Sequence, residues 1–252
     1  MNKNINSREI EIEKYLKSGK FVTTKELAGV LGVSITTIQR DLIRMEKENI
    51  IERKHGGVIL SNKLSQYPDL INRTIKNMDS KNRIALKAVG LLKENDFIFI
   101  ETGSTCMSFY EKIDVPNITV FTNSLMVAMQ KNTNCELYVV EGYVHNDNYG
   151  IYGNLAIESL DKIKPNKIFF SCVGVDLNGK ILSFREYDRS IINKICTMSG
   201  EKILLMDSTK FGVPGAFTAA SLDAIDVVIT DKNISEEYKK IIERENVKLY
   251  IV

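Results

Sequence analysis

The fold of the N-terminal part is decided by residues 24–45, which read TKELAGVLGVSITTIQRDLIRM. Thr24 is a helix-capping residue type, and it precedes an apolar face that predicts a short helix, formed by Leu27, Ala28 and Leu31. Gly32 permits a sharp turn after this helix, and Ser34 can cap a second one. Two helices joined by so short a turn predict a helix-turn-helix unit.

The second helix is predicted to bury one stripe and to expose the opposite face. The predicted stripe consists of Ile35, Ile38, Leu42 and Met45. The opposite face carries residue types that bind DNA, since Arg and Gln hydrogen-bond to base edges and Thr contacts phosphates or thymine methyl groups. The predicted DNA-binding residues of this segment are Ser34, Thr36, Thr37, Gln39, Arg40 and Arg44.

Residues 50–60 read IIERKHGGVIL and predict a β-hairpin, because two apolar runs flank a basic turn and a Gly-Gly pair. The basic tip, Arg53, Lys54 and His55, is expected to reach DNA as the wing of a winged helix-turn-helix. For the helix-turn-helix pattern alone, a helical bundle with solvated arginines is the alternative. The hairpin at this distance favours DNA binding.

These segments resemble the DNA-binding domain of the DeoR family of bacterial repressors. The resemblance rests on VTTKELA at 22–28, VS at 33–34, TIQRDL at 37–42 and HGG at 55–57. The family usually has two arginines where this chain has Gln39-Arg40. The resemblance implies a winged helix-turn-helix that binds an operator.

From residue 85 onward, short apolar runs alternate with helical segments. The predicted strands are Phe97–Ile100, Ile118–Phe121, Leu137–Val140, Ile168–Cys172, Ile203–Met206, Val227–Thr230 and Lys248–Val252. Strands that alternate with helices predict an α/β domain with a mostly parallel sheet covered on both faces. We therefore expect an α+β winged helix-turn-helix at 1–60, a polar linker at 61–79 and an effector-sensing α/β domain at 80–252.

Three of these strands run into polar loops: Glu101-Thr102-Gly103-Ser104-Thr105, Thr122-Asn123-Ser124 and Asp207-Ser208-Thr209-Lys210. A fourth is followed by Gly174-Val175-Asp176. Ligands bind beyond the carboxyl ends of parallel strands, and free amides at a helix start, a glycine and hydroxyl groups favour an anion. Lys210 adds a positive charge, and the carboxylates suit sugar hydroxyls. A single such turn more often caps a helix, but three together favour a ligand site.

The same loops resemble the sensor domain of the DeoR family, which is similar to ribose-5-phosphate isomerase. The resemblance implies that a phosphorylated sugar or related metabolite contacts Gly103, Ser104, Thr105, Thr122, Asn123, Ser124 and Lys210. The carboxylates that we expect beside it are Glu101, Asp176 and Asp207. Arg73, Lys81 and Ile84-Ala85 fit the family segment that joins the two domains.

Composition limits the remaining classes. The chain has 252 residues, of which 44% are hydrophobic and 26% are charged, as in an ordinary globular protein of two domains. Residues 1–60 hold 11 Lys/Arg and 8 Asp/Glu, a net +3 that permits nucleic-acid binding without arguing for it strongly.

Cysteine and histidine usage disfavours a metal centre. The four cysteines are far apart and there are only two histidines, so we expect neither a metal nor another cofactor. We expect reduced core cysteines, with Cys106 as the candidate for a reactive thiol. The sequence has neither a signal peptide pattern nor an apolar run of about 18 residues, which predicts a cytoplasmic protein with no membrane contact.

The combined expectation is a transcriptional repressor of carbohydrate-metabolism genes, with no catalytic residues, which a phosphorylated sugar releases from a double-stranded DNA operator. Symmetric half-sites call for a homo-oligomer, a dimer or a tetramer. Two alternatives stay open. One is an activator, and the other is a sugar-phosphate isomerase or deaminase with a DNA-binding domain, for which Asp207 or Glu101 is the available base.

Overall fold

The computed structural model describes residues 7–16, 21–47, 50–54, 56–60 and 70–252. The chain divides into two compact units, Met1–Tyr67 and Pro68–Val252. Within the described residues, no helix combines the length and the apolar character needed to cross a membrane.

The first unit packs helices against a small antiparallel sheet. Its elements are α1 (Ser7–Leu16), β1 (Val22–Thr23), α2 (Thr24–Leu31), α3 (Ile35–Lys47), β2 (Ile51–Lys54) and β3 (Gly57–Leu60). The strand order is β1-β3-β2, and β2 and β3 form a hairpin in which Lys54 lies opposite Gly57. This architecture confirms the predicted winged helix-turn-helix fold.

The core of this unit corrects one predicted position. Ile38, Leu42 and Met45 are fully buried as expected, but the side chain of Ile35 is 47% exposed. Ile35 is the first residue of α3, and the buried stripe of α3 begins one turn later, at Ile38.

The N-cap of α2 is Thr23 and not Thr24. The backbone N–H of Glu26 donates to Thr23 Oγ1 over 3.1 Å, and the N–H of Thr23 donates to Glu26 Oε2 over 2.7 Å. The acid three residues after the cap closes a reciprocal capping box. That spacing selects Thr23, since only this threonine has a glutamate at the required distance.

The second unit contains a seven-stranded sheet in the order β15-β14-β12-β9-β4-β5-β6, with parallel neighbours throughout. The sheet strands are β4 (Phe97–Ile100), β5 (Ile118–Thr122), β6 (Cys135–Val139), β9 (Lys167–Phe170), β12 (Glu201–Leu205), β14 (Val227–Thr230) and β15 (Lys248–Ile251). Each predicted strand is present to within two residues at either end, which confirms the parallel α/β fold.

Helices cover both faces of the sheet, as predicted. The helices are α4 (Leu70–Ile75), α5 (Met78–Val89), α6 (Ser104–Glu111), α7 (Leu125–Ala128), α8 (Asn154–Asp161), α9 (Glu186–Thr197) and α10 (Glu236–Arg244). One apolar cluster joins the sheet to α5 and α6, and a second joins the opposite face to α8, α9 and α10. Alternate strand residues such as Phe169 and Phe170 point into different clusters.

Two features depart from the sequence expectation. Short antiparallel strands were not predicted; they are β7 (Tyr143–His145), β8 (Gly150–Tyr152), β10 (Gly174–Val175), β11 (Lys180–Ser183) and β13 (Phe217–Ser221). The expected linker at 61–79 overlaps α4 and the start of α5, which belong to the second unit. The rest of that linker, 61–69, lies outside the described residues.

Candidate DNA-binding surface and effector site

The outer face of α3 presents the side chains predicted to contact DNA. Ser34, Thr36, Gln39 and Arg40 are exposed, whereas Thr37 is half-buried. The N–H of Thr37 donates to Ser34 Oγ over 3.1 Å, and the two hydroxyl oxygens lie 2.8 Å apart. Ser34 therefore caps α3, as predicted, and Gln39 and Arg40 are the long polar side chains left on the exposed face.

Arg44 has a different role from the one predicted. Its guanidinium pairs with Glu9 of α1 and, at 3.3 Å, with Asp41 of α3. Arg8 Nε donates to the other oxygen of Asp41 over 2.5 Å. Glu9 and Asp41 are only 7% and 3% exposed, and buried carboxylates require such cationic partners. Arg44 thus helps to hold α1 against α3, so its guanidinium is already engaged in ion pairs within the first unit.

The hairpin of β2 and β3 carries the predicted wing. The side chain of Arg53 is exposed, whereas the side chain of Lys54 and all of His55 lie outside the described residues. A Cβ atom on Gly57 would overlap the carbonyl oxygen of Val22, so glycine permits the close approach of β1. The wing is therefore fastened to the strand that precedes α2.

In the second unit, the loops that follow β4, β9 and β12 meet at the carboxyl edge of the sheet. Lys210 ends a short 3-10 turn, Ser208–Lys210, after β12. Its Nζ donates to Ser171 Oγ over 2.7 Å and to the Cys172 carbonyl over 2.8 Å, both of them after β9. A Cβ on Gly103 would lie 3.3 Å from Ser171 Cβ, so this glycine lets the β4 loop approach closely.

The amino end of α6 offers groups suited to an anion. Ser104 and Thr105 are buried in its first turn. Among the described residues, Thr105 Oγ1 has no hydrogen-bond partner although it is fully buried. A buried polar group left unpaired costs about 1–3 kcal/mol, and a bound ligand would relieve that cost. The first N–H groups of a helix also lack intrahelical acceptors, which favours an anion there.

Three positively charged side chains, Arg73, Lys81 and Lys210, interact electrostatically near the carboxyl edge of the sheet. Lys81 is buried, and its Nζ donates to the carbonyl oxygens of Arg73 and, over 2.6 Å, of Lys76. Burial, followed by repulsion from Lys210, lowers the pKa of Lys81 to about 8, and Asp207 opposes this shift. Arg73 and Lys81 were assigned by resemblance to a joining segment, but Arg73 and Lys210 both act electrostatically on Lys81 and on Glu101, which brings this segment close to the candidate effector loops.

Asp207 is a buried carboxylate held between these cations. Its Oδ1 accepts from Asn77 Nδ2 over 3.0 Å and from the N–H of Thr209 over 3.2 Å. Burial alone would raise the pKa of Asp207, but Lys210, hydrogen bonds from the Thr209 hydroxyl and the Asn77 side chain, and Lys81 outweigh it and lower the pKa. Asn77 was not predicted from the sequence. It adopts a left-handed φ of 56° just before α5, a conformation that asparagine tolerates.

A second polar cluster lies beside Glu101. Burial, together with the neighbouring Asp188, raises the pKa of Glu101 well above its usual value, although Arg73 and Lys210 oppose this. Asp188 Oδ1 accepts from the Tyr152 hydroxyl over 2.8 Å and from Asn148 Nδ2 over 3.3 Å. A carboxyl with a raised pKa can donate as well as accept a hydrogen bond, which suits a sugar hydroxyl.

Three predicted effector residues make hydrogen bonds within the protein. Thr122, Asn123 and Ser124 are fully buried. Thr122 Oγ1 donates to the Ile100 carbonyl over 2.6 Å, and Asn123 Oδ1 accepts from the N–H of Thr102 over 3.0 Å. The Ser124 side chain caps α7. These groups order the loops after β4 and β5, and their hydrogen-bonding capacity is largely used inside the protein.

Asp176 differs from expectation, whereas Cys106 is a buried core residue, as expected. Asp176 lies in the tight turn between β10 and β11, where its Oδ1 accepts from the N–H groups of Asn178 and Lys180 over 2.9 and 2.8 Å. It closes a hairpin, and it does not follow a strand of the parallel sheet. Burial raises the pKa of the Cys106 thiol well above its usual value, which disfavours the reactive thiolate.

Both units match models of one protein family. The model described as the DeoR C terminal sensor domain matches residues 76–232, and the model described as the DeoR-like helix-turn-helix domain matches residues 8–63. The chain belongs to the DeoR family. Its DNA-binding head and sensor domain are those of a DNA-binding transcriptional regulator.

Relatives of this DeoR-family chain are similar along almost their whole length. The L-fucose operon activator of Haemophilus influenzae is 31% identical, over 96% of this chain and 98% of its own. The lactose phosphotransferase system repressor of Staphylococcus epidermidis is 30% identical, over 92% and 94%. The regulator IolR of Bacillus subtilis is 29% identical, over 96% and 97%. Among solved structures, ribose 5-phosphate isomerase A of Methanocaldococcus jannaschii aligns with 54% of this chain and 55% of its own, at 19% identity and a TM-score of 0.40.

Proposed function

We propose that this DeoR-family regulator represses carbohydrate-metabolism genes and leaves its operator when a phosphorylated sugar, or a related metabolite, binds at the carboxyl edge of the sensor sheet. The observation that carries the proposal is the convergence of Arg73, Lys81 and Lys210 near the start of α6. The buried, unpaired hydroxyl of Thr105 lies in that first helical turn. The names of two relatives refer to the L-fucose operon and to the lactose phosphotransferase system, which supports the class of target genes.

The two ends of the ligand are assigned to different residues. Lys210, Lys81 and the amides and hydroxyls of 103–105 bind the phosphate, since cations and helix amino ends both stabilise a dianion. Glu101 and Asp188 bind hydroxyl groups of the sugar, because burial raises the pKa of both carboxyls and so favours the protonated form, which both donates and accepts hydrogen bonds.

Release from DNA requires the ligand to prefer one arrangement of the chain over another. Arg73, Asn77 and Lys81 lie in the first segment of the sensor unit after the DNA-binding head. A ligand that draws these residues toward its phosphate changes the conformation of the segment that connects the sensor to the DNA-binding head. We infer that α4 and the start of α5 transmit the signal.

The proposal is tested with a panel of hexose and pentose phosphates, and with the same sugars without phosphate as matched controls. A phosphorylated member is expected to raise the melting temperature with increasing concentration, since it binds only the folded state. The same compound is expected to release DNA that the purified protein has selected from a random library. Equal responses to the phosphorylated and the free sugar would contradict the phosphate assignment. A ligand that tightens DNA binding would indicate an activator.

Enzymatic turnover is the competing function of the same site. If Glu101 acted as a general base, incubation with the stabilising sugar phosphate would yield its isomer. We expect the sugar phosphate to be recovered unchanged, as followed by NMR. Isomer formation that is abolished by Glu101→Gln would establish the enzyme instead.

A further inference from the structure

Strand β6 forms one end of the seven-stranded sheet, and in residues 70–252 its only strand partner is β5. The N–H of Val140 donates to the Thr122 carbonyl over 3.0 Å, and the Asn134 carbonyl accepts from the N–H of Ile118 over 3.1 Å. Even-numbered residues of this segment therefore direct their backbone groups toward β5. Because backbone groups alternate in direction along a strand, those that face outward belong to Cys135, Leu137 and Val139.

Within residues 70–252, no feature of this edge blocks pairing with another strand. Proteins usually protect an edge with proline, lysine or a bulge. The sequence of β6, CELYV, has neither proline nor lysine, and its register with β5 is unbroken. Apolar side chains are exposed within β6, at Tyr138 and Val139, and again beyond its end, at Tyr143 and Val144. The opposite edge strand, β15, begins instead with Lys248.

We propose that β6 pairs with β6 of a second copy of this chain, antiparallel and about a twofold axis at Leu137. In this register Leu137 faces itself and Cys135 faces Val139, so every outward backbone group of β6 gains a partner. Glu136 then faces Tyr138, a pair that is already bonded within one chain, where the Tyr138 hydroxyl donates to Glu136 over 2.7 Å.

The residues on the two sides of β6 carry opposite charges. Exposed Lys131 precedes the strand and exposed Glu141 follows it. An antiparallel pairing brings the start of each strand toward the end of the other, and so brings opposite charges together. The pairing buries the exposed apolar side chains of both copies in one isologous interface. The inference draws on the proposed function only in that symmetric half-sites need two DNA-binding heads.

The proposed register of β6 with its second copy can be tested with a disulfide between Cys135 and a cysteine introduced at position 139. Val139→Cys would place its new thiol opposite the native Cys135 of the second copy, with Cα atoms about 5.5 Å apart, a separation that a disulfide spans. Under mild oxidation we expect a covalent dimer on a non-reducing gel that reductant reverses. Wild type and the double variant Val139→Cys/Cys135→Ser are expected to stay uncrosslinked. A single variant that remains monomeric on the gel, or a double variant that still crosslinks, would overturn the register.

Two proline variants, compared by the mass of the assembly in light scattering, test whether the edge of β6 forms the interface. The N–H of residue 139 points outward, so Val139→Pro removes no hydrogen bond to β5 but blocks an incoming strand. Ile251→Pro is the matched control, because its N–H also points outward, from the opposite edge. We expect Val139→Pro to halve the mass of the assembly and Ile251→Pro to leave it unchanged.

A monomeric wild type, or a Val139→Pro assembly of undiminished mass, would refute the proposed interface. If Val139→Pro does not fold, as judged by circular dichroism, the disulfide result decides alone. Neither measurement contains DNA or a sugar phosphate. Failure of the interface would therefore leave the proposed regulation untouched.

Discussion

Arg40 and Arg44 lie one turn apart on α3 and have opposite surroundings. Arg40 is exposed on the face predicted to contact DNA, whereas Arg44 pairs with Glu9 and Asp41. We expect Arg40→Ala to weaken specific DNA binding by about 1–3 kcal/mol with unchanged unfolding. Arg44→Ala should lower the free energy of unfolding by about 1 kcal/mol, since its guanidinium is partly solvated.

DNA titration and urea unfolding of both variants check this contrast. Wild-type DNA affinity in Arg40→Ala would show that α3 is not the reading helix. An Arg44→Ala variant as stable as the parent would show that its ion pairs do not stabilise the protein.

Because of Lys81, we expect affinity for the sugar phosphate at the candidate effector site to depend on pH. Its pKa of about 8 means that it loses its charge as pH rises through this value, whereas a phosphate ester stays dianionic there. Anion binding favours the protonated amine, so affinity for the stabilising sugar phosphate should fall above pH 8, by at most about tenfold per pH unit. Calorimetric titrations from pH 7 to 9 should show this fall in wild type and a flatter profile in Lys81→Met. Parallel profiles would exclude Lys81 as a phosphate ligand.

Single residues show what sequence patterns miss. The stripe in α3 was predicted correctly except at Ile35, because periodicity does not say where the neighbouring core ends. Asn77, just before α5, and Asp188, in α9, lie far in sequence from the loops of the candidate effector site, and no local pattern marks them. Lys210 and residues 103–105 could be proposed from the sequence because a glycine, hydroxyls and a lysine directly follow buried strands.

The wing, formed by β2 and β3, is expected to contact DNA phosphates and not bases. Removing both positive charges with Arg53→Ala/Lys54→Ala should weaken specific and nonspecific DNA binding alike. The plot of log affinity against log salt should lose about two units of slope, because fewer counterions are released. The control removes two lysines from α10, Lys239→Ala/Lys240→Ala. A slope equal to that of wild type in the wing variant would assign the hairpin a role other than DNA contact.

Elements differed in how well the sequence predicted them. The strands of the parallel sheet were found because a strand buried on both faces is a continuous apolar run. The strands β7, β8 and β10 were missed because they have only two or three residues. The strands β11 and β13 are as long as strands of the parallel sheet but lack its continuous apolar runs, and their pairing depends on contacts distant in sequence. Thr122 to Ser124 looked like ligand groups because a polar turn after a strand has the same composition whether it binds a ligand or orders a loop.

In the full-length protein, we propose that an anion bound at the sensor edge controls affinity for DNA. Lys210 offers the sharpest test, since its charge acts on Lys81 and Asp207 while its Nζ joins the β9 and β12 loops. A lost charge-assisted contact costs about 1.5–3 kcal/mol, which corresponds to tenfold or more in effective concentration. Lys202 lies at the other end of β12, beside Asp226, and offers a matched control on the same strand.

The most direct measurement is a titration of the DNA complex with the stabilising sugar phosphate, made on wild type, Lys210→Ala and Lys202→Ala, with melting temperatures recorded on the same samples. We predict that all three bind DNA with similar affinity. Lys210→Ala should need at least about tenfold more sugar phosphate for release, while Lys202→Ala follows wild type. A Lys210→Ala variant that melts at a lower temperature but releases DNA at the wild-type concentration would contradict the account, because Lys210 would then stabilise the loops without binding the anion.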